Sequence, residues 1–256
     1  MNKQAVVVIG IGEMGSVFAR GLLRLGHPVY PVVRETDMAA LAAELPTPLM
    51  VLVAVGESAL QPLLNALPEA WQDRLALLQN ELLPTDYAAL PDPTVISVWF
   101  EKKKGQDSKV LVPSPVFGPH ADLLVNALGA LGIGARKIAS AKQMLFELVL
   151  KNVYIVTTNV AGLRVGGNVG QLWQDHQPLA RAVANDVIDI QEALTDSRFD
   201  RETLINGMLG AFNGDLEHKC MGRSAPARLQ RALEHADRHQ LAVPTLRQIA
   251  AGQTHA

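Results

Sequence analysis

Gly10-Ile11-Gly12-Glu13-Met14-Gly15 follows a run of β-branched residues and opens a stretch with helical spacing. Glycines spaced in this way at a strand-to-helix turn suit one task. Gly10 permits the tight turn, Gly12 lets an anion approach the backbone, and Gly15 lets the helix pack closely on the strand. The orphan N–H groups and dipole of the helix then favour a bound pyrophosphate. The turn formed by Gly10, Ile11, Gly12, Glu13, Met14 and Gly15 is therefore expected to bind a nicotinamide dinucleotide. Arg34 stands about 20 residues beyond the turn, where a fold of this kind reads the adenosine ribose. Its guanidinium would pair with a 2′-phosphate and favour NADP (NADPH). Glu35, one residue further on, could instead accept from a free 2′-hydroxyl, which keeps NAD as the alternative.

These residues need elements to hold them. Short β-branched runs alternate with helical patterns over the first 140 residues or so, the signature of a parallel sheet covered on both faces. Strands are predicted at 5–9, 29–33, 49–55, 75–79, 94–100, 109–112 and 135–138. Between the first two, Val17, Phe18, Leu22 and Leu25 recur at helical spacing, and Gly26 supplies a stop, so a helix is predicted over 13–25. From about Ser140 the strand pattern gives way to helical periodicity, beginning with a long apolar helix over 144–160. Further helices are predicted at 178–194, 201–212, 227–240 and 245–251. The expected fold is α/β, an N-terminal Rossmann-type doubly wound sheet over 1–139 followed by an all-helical C-terminal domain over 140–256. The helical domain is expected to bind substrate or form a dimer, with a cleft where the domains meet.

Composition narrows the class. Hydrophobic residues make up 48% and charged residues 19% of 256 residues, enough apolar matter for packed cores and too little charge for disorder. A net charge of -2 lacks the basic excess of a nucleic-acid binder. No stretch was found to approach the ~20 apolar residues of a membrane span, so no membrane partner is expected, and a cytoplasmic location is. Cys220 is the single cysteine, which rules out an intrachain disulfide and a Cys-based zinc site. It reads as inert. His235 and His239 lie four apart on a predicted helix without a third ligand in view, so no metal is expected. Lys102-Lys103-Lys104-Gly105 reads as a solvated loop with no role.

The N-terminal pattern resembles the ketopantoate reductase (2-dehydropantoate 2-reductase) family: Val8-Ile9-Gly10 through Gly15-Ser16, then Leu25-Gly26-His27, then Arg34. Leu78-Gln79-Asn80 is similar to the family's Gln-Asn-Gly segment, which implies that Asn80 lies near nicotinamide and substrate. Lys151 sits where the family keeps its catalytic lysine, Asn159 matches an asparagine that holds substrate, and Leu241-Ala242-Val243-Pro244 resembles a segment near the family's C-terminus. Three features depart from the pattern. Ile155 occupies the place of a second helix asparagine, Gly56-Glu57 replaces a lysine after the third strand, and Ser224-Ala225-Pro226-Ala227-Arg228 stands where a glutamate is expected.

The resemblance implies an oxidoreductase that uses NADPH to reduce a small 2-keto acid, as in pantothenate biosynthesis. Such a reduction needs a positioned acid for the forming alkoxide, and Lys151 is the candidate. Helical rise puts Lys151, Thr158, Asn159 and Gly162 on one stripe. On a cleft-facing stripe, burial would lower the lysine pKa toward neutrality, Thr158 and Asn159 would contact substrate, and Gly162 would leave it room. Other readings stay open: a Glu147–Lys151 surface bridge, and Asn80 as a cap or turn residue. At the level of function, the alternatives are a relative of 3-hydroxyisobutyrate or 6-phosphogluconate dehydrogenase, against which Ile155 argues, and a non-catalytic NAD(P)-binding protein. The apolar helix over 144–160 could bury within the subunit or against a second copy, so a homodimer and a monomer are both open.

Overall fold

The structure is a computed structural model and describes residues 3–253. The chain divides into two compact units, split between Glu147 and Leu148.

The first unit runs β1 (Val6–Ile9), α1 (Glu13–Arg24), β2 (Val29–Val32), α2 (Met38–Glu44), β3 (Met50–Val53), α3 (Leu60–Ala66), β4 (Leu75–Leu77) and β5 (Thr94–Ile96). It continues with β6 (Phe100–Glu101), β7 (Lys109–Val110), β8 (Ser114–Phe117), α4 (Ala121–Gly129) and β9 (Ala135–Lys137). Seven strands form one sheet in the order β2-β1-β3-β4-β5-β8-β9. The chain leaves β1 for β2 on one side and returns for β3 on the other, so the order reverses between β1 and β3. Ligands of open α/β sheets bind at such a switch point, outside the carboxyl ends of the strands. On one face, Val6, Val8, Met50, Leu52, Ala76 and Ile96 meet Val17, Phe18 and Leu22 of α1 and Leu124, Ala127 and Leu128 of α4. Gly21 allows this packing: a Cβ there would lie 2.3 Å from the Ala127 carbonyl oxygen.

Two predictions in this unit need correction. The strand over 94–100 stops at Ile96, and the chain then turns out of the sheet to form a separate two-stranded hairpin, β6 with β7. The strand β8 was not foreseen, because Pro115 lies in it and proline has no donor for a ladder. It is tolerated because the contact with the preceding segment uses its carbonyl, which accepts from the Ser97 N–H at 3.0 Å. Its neighbour β5 is antiparallel to it, the one antiparallel join in an otherwise parallel sheet.

The second unit holds most of α5 (Ala141–Val165), then α6 (Val169–Thr195), α7 (Arg201–Gly214), α8 (Ala225–Arg238) and α9 (Pro244–Gln253). Helix α6 begins well before the predicted 178. Asn168 and Gln171 cap its start reciprocally, and Pro178 is accommodated by a kink at His176 (φ -132°). Helix α5 corrects the membrane argument. At 25 residues with mean hydropathy 1.2 in its most apolar window it is long and apolar enough to span a bilayer, yet 72% of that window is buried within the protein. It packs as a core helix: Asn152 donates to Gln191 of α6 at 2.9 Å, and Tyr154 meets Phe212 of α7 edge-on at 5.8 Å. The buried carboxylate of Asp186 on α6 accepts from the N–H groups of Thr245 and Leu246 at 2.8 and 3.0 Å, which caps α9.

Candidate functional site

The glycine turn lies directly after β1. The Gly10 N–H donates to Val32 at 2.9 Å and the Ala54 N–H to Ile9 at 2.7 Å, so β2 and β3 hold the turn from both sides. Each glycine has its own reason. Gly10 has φ +91°, and a Cβ there would lie 2.8 Å from the Ala54 oxygen. A Cβ at Gly15 would lie 1.9 Å from the Gly10 oxygen, so only glycine lets α1 start this close to the strand. A Cβ at Gly12 would meet nothing within 4 Å. Gly12 is the N-cap of α1 and offers no side-chain cap. The turn therefore pairs a helix N-terminus without a side-chain cap with room beside Gly12, an arrangement suited to a pyrophosphate. Ile11 is exposed, while Met14 packs against the sheet core.

Around the turn stand the side chains proposed to read the rest of the cofactor. Arg34 and Glu35 occupy a turn two residues past the end of β2, closed by Thr36 N–H to Val33 at 3.1 Å and by Val33 N–H to the Thr36 hydroxyl at 3.0 Å. Both side chains are exposed. Val32 pairs with Ile9, so this turn and the glycine turn leave the same end of adjacent strands. Asn80 follows β4 and donates to Glu57 at 3.1 Å, in the segment after β3. Gln79 was missed as a positioning residue. Its buried amide donates to the carbonyls of Val53 and Val55 at 2.9 and 3.2 Å, which ties the carboxyl ends of β3 and β4 together.

In the second unit, α5 carries Lys151, Thr158 and Asn159 on a buried stretch. Lys151 is 9% exposed, and its ammonium lies 5.4 Å from the centre of the Tyr154 ring, where the π face attracts a cation. The Thr158 hydroxyl donates back to Tyr154 at 2.9 Å. Asn159 accepts from the Arg228 guanidinium at 3.1 Å and turns its amide toward the Cys220 carbonyl at 3.4 Å. The space beside Gly162 is filled, contrary to the expectation of room for substrate: a Cβ there would lie 2.8 Å from that of Cys220. Glu147 holds Arg136 at 2.5 Å. Ile155 is half-buried.

Arg228 is the residue that sequence reasoning missed here. It is 7% exposed, and it shares the buried face of α8 with Ala225, Leu229, Ala232 and Ala236. A charge on an apolar helical stripe was the available signal. Burial raises the Cys220 thiol to about 11, so it carries little thiolate at neutral pH. Among the described residues, no cluster of three or more His, Cys, Asp or Glu is placed to hold a metal ion.

No protein-family model matches the chain, and no curated protein does. Solved structures do share its fold. The 2-dehydropantoate 2-reductase from Methylococcus capsulatus matches with TM-score 0.73 at 16% identity, over 98% of this chain and 96% of that one. A dimeric ketopantoate reductase from Staphylococcus aureus matches with TM-score 0.61 at 17% identity, over 96% of each chain. D-mandelate dehydrogenase, in its ternary structure with NADH and anilino(oxo)acetate, matches with TM-score 0.67 at 13% identity, over 95% of each chain.

Proposed function

The chain has the fold of the ketopantoate reductases, an α/β sheet unit followed by helices, and we propose from this premise that it is an NADPH-dependent reductase of a small 2-keto acid. One observation carries the reading: an open glycine turn at an uncapped helix N-terminus, placed at the switch point of the sheet. A bound nicotinamide would supply the hydride. Gly10, Gly12 and Gly15 let the backbone accept the pyrophosphate. Arg34, exposed past β2, pairs with a 2′-phosphate, which is the basis for preferring NADPH over NADH. Asn80, braced by Glu57, is the proposed contact to nicotinamide and substrate. Lys151 delivers the proton to the carbonyl oxygen, and Asn159 orients the substrate with Arg228 beside it. Thr158, whose hydroxyl donates to the Tyr154 carbonyl and keeps its lone pairs as acceptors, is the further substrate contact on that helix. The structures named above include a dimeric ketopantoate reductase and a dehydrogenase seen with NADH and anilino(oxo)acetate, which supports a small acidic carbonyl substrate and a homodimer.

A second reading has support of its own. Ile155 offers no hydrogen bond, and Arg228 lies in the segment where the family resemblance called for a carboxylate. A chain that binds dinucleotide without turnover would look like this. The test is NADPH oxidation, followed by absorbance, with a panel of 2-keto acids. Turnover of one acid, reduced at least a hundredfold in Lys151→Ala, supports the reductase. Tight binding with no turnover across the panel favours the non-catalytic reading.

A further inference from the structure

The lysine-rich hairpin tip, read from sequence as a solvated loop, is docked on the glycine turn. Phe100 at the base of the hairpin is buried and packs on Phe18 of α1, with ring centres 6.1 Å apart. Two residues later Lys102 reaches Glu13, the first residue of α1, with 3.3 Å between ammonium and carboxylate. The Lys102 side chain is only 16% exposed despite its place at a tip. Its ammonium also donates to the carbonyls of Lys103 at 2.7 Å and Gln106 at 2.6 Å, so its three donors are directed at the hairpin turn and at Glu13.

Glu13 is an awkward residue for an anion site. A carboxylate in the first turn suits the helix dipole when no ligand is present, and repels a phosphate brought to the same N–H groups. We propose that Lys102 is a positioning residue for the dinucleotide's pyrophosphate: it neutralises Glu13 and holds the β6–β7 hairpin against the glycine turn, so that the pair sets the turn's affinity for phosphate. The inference rests on the proposed dinucleotide site. Lys102 acts through Glu13, and the two residues should therefore have opposite effects when changed singly.

The test is fluorescence titration of the full chain with NADPH and with NADH, at low salt and at 0.5 M salt, with thermal melts as a check on folding. Lys102→Met exposes the carboxylate to the phosphates and should raise Kd about tenfold at low salt, a loss that shrinks at high salt. Glu13→Gln should lower Kd, and in that background Lys102→Met should cost little. Should Lys102→Met fail to fold, Glu13→Gln decides alone, since weaker binding there overturns the inference. Equal weakening by both single variants would mean that the pair serves only to hold the hairpin, and no change in either would also overturn it. Failure of the unaltered chain to bind either dinucleotide overturns the proposed function itself.

Discussion

The glycine turn and the Lys151 face of α5 are built from different materials. The turn is a backbone site: its shape follows from a positive φ at Gly10, a contact at Gly15 that excludes any Cβ, and open space at Gly12. The α5 face is a side-chain site, in which Asn159 is held by Arg228 from α8 and by Cys220 from the loop before it. A backbone site tolerates change in the side chains around it, because its shape rests on glycines and main-chain hydrogen bonds. A side-chain site changes whenever one distant partner does. This is how a chain can keep a clear glycine turn and yet carry Ile155 and Arg228 in its helical unit.

That contrast can be broken most severely at Gly15. Gly15→Ala drives a methyl into the Gly10 carbonyl, where backbone cannot move aside, and should cost about 3 kcal/mol or more, read as a fall in melting temperature of roughly 10 °C. Gly12→Ala meets nothing and has φ -76°, so the melting temperature should stay within about 2 °C while NADPH affinity falls at least tenfold. If both variants melt alike, the division of labour among the glycines is wrong.

The side-chain site is sharpened by a double-mutant cycle on Asn159→Ala and Arg228→Met. A buried hydrogen bond to a charged group predicts coupling of about 1.5–3 kcal/mol in chemical denaturation. Additive effects would show that the two side chains do not support each other.

Away from both sites, Asp186 separates burial from capping. Burial pushes its carboxyl above the usual range, opposed by the N–H bonds from Leu246 and Thr245. A raised folded-state pKa means that the folded chain binds the proton more tightly than the unfolded one. Stability from this group is therefore present at low pH and is lost as pH rises from the unfolded toward the folded value. Asp186→Asn keeps an oxygen for both N–H groups, so it should be more stable than the unaltered chain at pH 7, with the advantage gone below the carboxylate range. Denaturant melts at pH 4 and 7 read this. The smallest effect concerns Cys220, whose thiol is buried and raised to about 11. It should label with iodoacetamide much more slowly in the folded chain at pH 7.5 than in denaturant, and equal rates would contradict its burial.

The same contrast explains what could be read from sequence. The glycine turn, α1 and the position of Arg34 carry local sequence patterns, although Ala54 and Ala127 pack against them, and spacing located them. The ends of α7 and α9 were legible for the same reason, through local periodicity. The strand β8 was hidden because its proline is compatible with the sheet only in the register that tertiary pairing supplies. The partners of Asn159 lie 61 and 69 residues away, and Lys102 docks on a residue far earlier in the chain. No local pattern carries such pairings. Gly162 shows the cost of reading a glycine alone: it looked like room for substrate, and Cys220 fills the space.

The most direct measurement is calorimetric titration of the full chain with NADPH and NADH, repeated on Gly12→Ala and Arg34→Ala. Saturable binding of NADPH that is lost in Gly12→Ala, with a preference over NADH that disappears in Arg34→Ala, is the expected result. Absence of heat with either dinucleotide, or affinity indifferent to Gly12→Ala, would contradict the assignment of the turn as the cofactor's phosphate site.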